Sequence, residues 1–203
     1  MKKIGKIQKV IALLILIMVV IMGIYAVVTI FIPKNNKENM KSEETIKYDY
    51  NLYKRDSKLY RDIFHNLKDT LESDSIDYDK YAEYITELFV IDFYTLNNKI
   101  SKDDVGGLQY IYGEMKDNFV LNATNTIYKY VENNFNNNRN QELPEVSKVT
   151  LNNITNSMYK INNVEYESYI VDLNWEYNKD LGYETSGIFT IIKNEEKLYI
   201  VEK

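Results

Sequence analysis

The pattern of apolar and polar positions divides the chain into three regimes. Residues 10–32 (VIALLILIMVVIMGIYAVVTIFI) are 23 consecutive positions without a charge. At about 1.5 Å of rise per residue such a helix reaches roughly 34 Å, enough to cross a hydrocarbon layer of about 30 Å. From residue 52 to residue 131 apolar side chains recur at helical spacing, and from residue 146 onward the period becomes two. The order therefore predicts one N-terminal transmembrane helix, then helices, then an antiparallel sheet.

Within the helical regime, Leu52, Leu59, Tyr60, Ile63, Phe64, Leu67 and Leu71 form one stripe, with Lys54, Arg55, Lys58, Arg61, Asp62 and Lys68 on the other arc. A second helix starts at Asp77 as N-cap, with Asp79 in its first turn, and ends near Asn97. Its apolar arc holds Tyr81, Tyr84, Ile85, Leu88, Phe89, Ile91, Phe93 and Leu96, and Asp79, Glu83, Thr86, Glu87 and Asn97 fall opposite. Val105, Leu108, Ile111, Tyr112 and Met115 allow a third helix, weakened by Gly106, Gly107 and Gly113. Phe119, Val120, Ala123, Ile127, Tyr130 and Val131 predict a fourth.

An Asn-rich loop, residues 133–140, separates this half from the strands. Strands are expected over 146–151, 154–161, 164–177, 183–193 and 197–201, with Asn162-Asn163 as a turn and Gly187 as a bulge. In the longest strand Tyr169, Val171, Leu173, Trp175 and Tyr177 share one face. Helices followed by an antiparallel meander make an α+β domain, with the helices packed on a curved, cone-like sheet.

Charge supplies topology. Lys2, Lys3, Lys6 and Lys9 precede the apolar run, and Glu38, Glu43 and Glu44 soon follow it, so residues 1–9 are the cytoplasmic tail. Residues 33–48 read as a polar linker, and 49–203 as one extracytoplasmic domain on the cell membrane. The run is too long for the core of a cleaved leader and lacks a small-x-small site. Removing the four lysines of the tail from a net charge of −5 leaves −9 for the remainder, which repels phosphate backbones and argues against nucleic acid as a partner. With no cysteine, neither a disulfide nor a lipidated cysteine is available.

The order of elements resembles the cone-shaped α+β fold of the nuclear transport factor 2 superfamily. With a short tail and single anchor in front, it further resembles the bitopic scaffold subunits of type IV secretion and conjugation machines. This resemblance rests on architecture alone and transfers no residue. It implies self-association and contact with other envelope components, without enzymatic activity.

Few residues invite chemistry. Asp92 falls inside the apolar arc of the second helix, so its carboxylate needs a partner; it is the candidate for a ligand pocket between helix and sheet, with a raised pKa if it works as an acid or base. A tyrosine hydroxyl, backbone N–H or basic side chain satisfying it is the structural alternative. His65 is the only histidine, which removes every two-histidine metal motif and leaves a helix-surface role. Asp74, Asp77 and Asp79 lack the glycine and terminal glutamate of a calcium loop, and 105–107 lacks the lysine of a phosphate loop. No cofactor is implied. Among nineteen tyrosines, Tyr78, Tyr81, Tyr84 and Tyr166 are candidates for a protein interface.

Overall fold

The computed structural model describes Leu13, Leu14, residues 16–20, Met22 and residues 41–203. Asn39–Lys203 forms a compact unit separate from Met1–Glu38. Leu13, Leu14, residues 16–20 and Met22 are helical and exposed. The rest of the predicted span, the tail 1–9 and residues 33–40 lie outside the described residues. Among the described residues, no helix is long and apolar enough to cross a membrane.

The larger unit is α+β. It starts with an antiparallel hairpin, β1 (Ser42–Ile46) and β2 (Tyr50–Tyr53). Two helices follow, α1 (Lys58–Glu72) and α2 (Tyr78–Tyr94), and after an irregular stretch comes α3 (Lys116–Asn125). The chain closes as a four-stranded antiparallel meander, β3 (Val146–Ile161), β4 (Val164–Tyr177), β5 (Ser186–Asn194) and β6 (Lys197–Glu202), in the order β3-β4-β5-β6.

The hairpin takes residues 42–48, expected as the end of a linker, into the folded unit, and it corrects the expectation of a helix beginning at Leu52. Residues 42–48 are tied down because Tyr48 and Asp49 take positive φ (64° and 60°) and turn the chain back. Tyr50 is then buried, its hydroxyl donating to the Leu198 carbonyl (3.0 Å) and lying 2.9 Å from that of Tyr81. Leu52 is buried from a strand and not from a helix, a case where period 2 and period 3.6 coincide over too few residues to be told apart.

Helix α1 begins where Ser57 accepts the Tyr60 N–H (3.2 Å), and it buries Tyr60, Ile63, Phe64, Leu67 and Leu71, as the stripe predicts. Asp77 caps α2 by accepting the Lys80 N–H (3.1 Å). This helix is central, packed against α1 on one side and the sheet on the other. Its polar arc is therefore covered too: Thr86 and Glu87 are buried, and the Thr86 hydroxyl turns back onto the Ala82 carbonyl (2.6 Å). The helix stops at Tyr94, short of Asn97.

The expected third helix is absent. Residues 101–112 run as turns, and only a 3-10 turn, Gly113–Met115, precedes α3. That stretch does a different job. Tyr110 accepts from Ile200 (2.8 Å) and Tyr112 donates to Ile200 (3.1 Å), so residues 110–112 cover the outer edge of β6. The fourth predicted helix is shorter than its periodicity, because residues 126–130 leave it as turns.

In the sheet, 146–151 and 154–161 are one strand, β3, interrupted by register shifts at Ser147 and Asn152. Asn162 and Asn163 take positive φ and form the turn. Tyr169, Val171, Leu173 and Trp175 face the helices and are buried, as expected. Gly187 is no bulge, since it pairs in register with Leu173. A Cβ there would meet the Phe89-facing side of the sheet at Phe189 (3.2 Å) and Lys203 (3.0 Å), which accounts for the small residue.

Glu87 generates a test of this burial. Burial first, then the like charge of Glu83, push its carboxyl up to about 7, against Lys80. A raised folded pKa means stability present below about 4.5 and lost as pH climbs through about 7. Glu87→Gln is expected to gain stability at pH 8, up to about 3 kcal/mol, and little at pH 4.5. Thermal melts of both proteins across that window check this, and an offset independent of pH would contradict it.

Candidate functional site

Asp92 lies in the last turn of α2, where the negative end of the helix dipole disfavours a carboxylate. Two contacts offset this. Lys99 Nζ sits 2.5 Å from Oδ1, and the Gly107 N–H donates to Oδ2 at 2.7 Å. The Lys99 side chain is 0% exposed and that of Asp92 16%, so the ammonium is sealed from bulk water and the carboxylate keeps a small exposed face.

The loop bearing both partners reaches the helix only because residues 106 and 107 are glycines. A Cβ on Gly106 would lie 2.3 Å from the Asp92 carbonyl oxygen, and one on Gly107, whose φ is +78°, 2.6 Å from the Phe89 ring. Tyr128 locks the same approach, accepting the Gly106 N–H (3.0 Å) and donating to the Phe93 carbonyl (2.7 Å). The Val105-Gly106-Gly107 turn is thus a docking point for backbone on backbone.

A polar cluster continues outward. Arg55 Nη1 pairs with Asp104 (2.5 Å), which also accepts the Ile100 N–H (2.9 Å). Asp56 accepts the Tyr53 N–H (2.7 Å). Gln109 Nε2 donates to the Tyr60 hydroxyl (2.8 Å), itself 2.5 Å from that of Tyr110. Between these groups is a cavity of about 230 Å³ lined by Tyr53, Arg55, Asp92, Val105, Leu108 and Gln109. Arg55 Nε faces this region buried and without a hydrogen-bond partner among the described residues.

Electrostatics decides what Asp92 can do. Burial works to raise its pKa, but the charges of Lys99 and Arg55, with the hydrogen bonds from Lys99 and Gly107, hold it below the usual carboxylate range. A general acid or base needs a raised pKa, and the neighbours of Asp92 act the other way, favouring a carboxylate that accepts one hydrogen bond at each oxygen. Its cavity is also smaller than the roughly 300 Å³ at which ligand pockets begin. Asp56 does have a raised carboxyl, to about 6, mainly from burial and despite the Tyr53 N–H. Nothing in the sequence around Asp56 marks it, because the burial comes from residues distant in the chain.

The remaining candidates separate. Tyr81 is removed from the interface set: it is fully buried, its hydroxyl accepting the Leu198 N–H (3.2 Å). Tyr78, Tyr84 and Tyr166 are half-buried. Lys193 lies over the Tyr78 ring (3.9 Å) and Lys80 over Tyr84 (5.8 Å), while Tyr166 interacts with Tyr112. His65 is exposed, 3.5 Å from Glu44. Among the described residues, no group of three or more His, Asp and Glu could hold a metal ion.

A larger groove, about 520 Å³, lies elsewhere, between the end of α2, α3 and the loop before β5. It shares no lining residue with the Asp92 cavity, and its helix-side wall includes Phe89, Phe93 and Phe119. The periodicity marks Phe89, Phe93 and Phe119 as core; Phe89 and Phe93 are buried and Phe119 is partly exposed at the groove.

The chain matches no family model, no curated protein and no solved structure. Function therefore rests on the arrangement of its own residues.

The Asp92 pair yields a mutational cycle. Asp92→Asn strands Lys99 as an uncompensated buried charge and is expected to cost about 3–5 kcal/mol. Adding Lys99→Met to it should restore part of that loss, whereas independent roles would make the two losses additive. Denaturant unfolding of the three variants measures the coupling. Gly107→Ala, strained in both φ and contact, should destabilise on the order of 2 kcal/mol or more, seen as a lower midpoint in the same titration.

Proposed function

We propose that this chain is a membrane-anchored protein-interaction module. Residues 10–32 hold it in the cell membrane with the N-terminus cytoplasmic, and the domain beyond works outside the cytoplasm as an assembly element, not a catalyst. The lysine-rich tail before an uncharged run of 23 residues supports the anchor and its orientation. The α+β arrangement, with helices against a four-stranded antiparallel meander, agrees with the resemblance to bitopic secretion and conjugation scaffolds.

One observation carries the interaction reading. The sheet has two edges, and they are treated differently: residues 110–112 cover β6, while no strand among the described residues pairs with the outer edge of β3. An uncovered edge is a template for an added strand. Along β3 both register shifts, at Ser147 and Asn152, fall in the first half, and the exposed lysines Lys148 and Lys160 stand toward its two ends. Residues 153–161 pair with β4 without interruption and expose Met158.

The same hairpin reaches across the sheet. Tyr159 interacts with Glu202 and Tyr166 with Tyr112, and Asn162 Nδ2 donates to Glu114 (3.4 Å). Ser168, Thr190 and Ile192, on the face away from the helices, are buried, which supports a strongly curved sheet. A hairpin fixed in this way presents its edge in one orientation, which lowers the ordering cost of strand addition.

Photo-crosslinking in intact cells tests both parts. A photoreactive residue at Thr155 or Met158 should give adducts with a protein partner or a second copy, and one at Asp69 on α1 should not. A phosphatase fused after residue 203 should be active only outside the cytoplasm. Equal adducts at all positions would overturn the edge assignment, and a fusion active only inside would overturn the topology.

A further inference from the structure

The geometry points to a second, independent site: the groove between α2, α3 and the 182–184 loop binds a small, uncharged aromatic molecule carrying one hydrogen-bonding group. The groove encloses about 520 Å³, within the roughly 300–1,000 Å³ of ligand pockets. This inference does not depend on the edge of β3 or on membrane anchoring.

The walls set the shape of the occupant. Phe89 and Phe93 are stacked at 5.3 Å with planes 10° apart, and Phe119 leans on both at 5.8 and 5.1 Å. Phe89 and Phe93 are nearly buried and form the floor, Phe119 is partly exposed beside them, and a flat ring laid there gains offset or edge-to-face contacts that a branched aliphatic body does not. Ile127 and Tyr183 line the same space, and Asn122 and Thr126 stand exposed on the α3 side of the mouth.

One end of the groove is polar, and its charges are already matched. The Tyr94 hydroxyl donates to Glu184 Oε2 (2.9 Å), and Lys203 Nζ contacts both. An anion arriving there meets the Glu184 carboxylate, and a cation meets the Lys203 ammonium, so neither finds a free counter-charge and each gives up hydration against the apolar wall. A hydroxyl or amide can instead join the Tyr94–Glu184–Lys203 set by donating to the carboxylate. The required class is therefore neutral, flat and singly polar, as a phenol is.

The site also carries its own reporter. Trp175, the only tryptophan, lies 4.7 Å from the Tyr94 ring and 5.9 Å from Lys203, one layer behind the polar end. A ligand that moves Tyr94 or Lys203 changes the surroundings of that indole.

The test uses the full chain in lipid nanodiscs, with empty nanodiscs as the partition control. The probe is 4-fluorophenol, followed by ligand-observed fluorine NMR and Trp175 emission. Saturable binding is expected, weakened at least fivefold by Phe119→Ala, which removes a wall, and by Thr126→Phe, which fills the mouth from an exposed position. Leu121→Ala, on the exposed face of α3, should leave it unchanged, and anionic 4-fluorobenzoate should bind at least fivefold more weakly. Absence of saturable binding overturns the site. Binding indifferent to both groove substitutions overturns its location, and benzoate binding as well as the phenol overturns the neutral class. A failed strand-edge crosslink has no bearing on any of these readouts.

Discussion

A helix that must be covered on every side organises this domain. Eleven of the seventeen residues of α2 are buried, including positions on the arc that a simple wheel assigns to solvent. A helix with so wide an apolar arc is stable only near a centre, so neighbours must lie against most of its surface, leaving Asp79 and Lys80 in its first turn to solvent. Helix α1 takes one, the sheet takes another, the β1–β2 hairpin closes against Tyr81, and the glycine-containing loop lies across the C-terminal turns. Asp92 is the carboxylate on this helix that faces the interior paired, and its price is a lysine buried with it. The ion pair is thereby less a source of stability than a condition on register: the loop can dock only where Lys99 and the Gly107 N–H meet that carboxylate.

Much of this was legible beforehand, for reasons that differ by element. The 14-residue β4 was read at its full extent because one face alternates without a break from Tyr169 to Tyr177. Asp77 was read as a cap because a short acceptor directly preceding a periodic run has few other uses. Failures came where local pattern was ambiguous or overridden. Val105, Leu108, Ile111, Tyr112 and Met115 have helical spacing, but the spacing reflects a turn-rich segment that touches α2 at one end and pairs with β6 at the other. Serine and asparagine at register shifts made one strand, β3, look like two.

The site was legible in part. That Asp92 needs a partner follows from its place on the wheel, whereas the identity of Lys99 and Gly107 does not, because the loop's path depends on two glycines fitting against a helix. The groove beside α3 was invisible to periodicity, which assigns Phe89, Phe93 and Phe119 to a filled interior. Tyrosine is the residue that pattern reading handles worst here. The same side chain closes the core at Tyr50, Tyr81, Tyr110 and Tyr128, and lies half-exposed at Tyr78, Tyr84 and Tyr166.

The contact of Tyr50 and Tyr81 with Leu198 has a kinetic side. Both phenols lie in the N-terminal half, and their backbone partner lies on β6, 148 residues from Tyr50. Ribosomes build chains from the amino end, so the central helix exists long before the strand that completes its enclosure. Pairings so distant in sequence form slowly. For most of its synthesis the polypeptide therefore carries an apolar helix made early whose lid is made last, the interval in which such a segment is open to association.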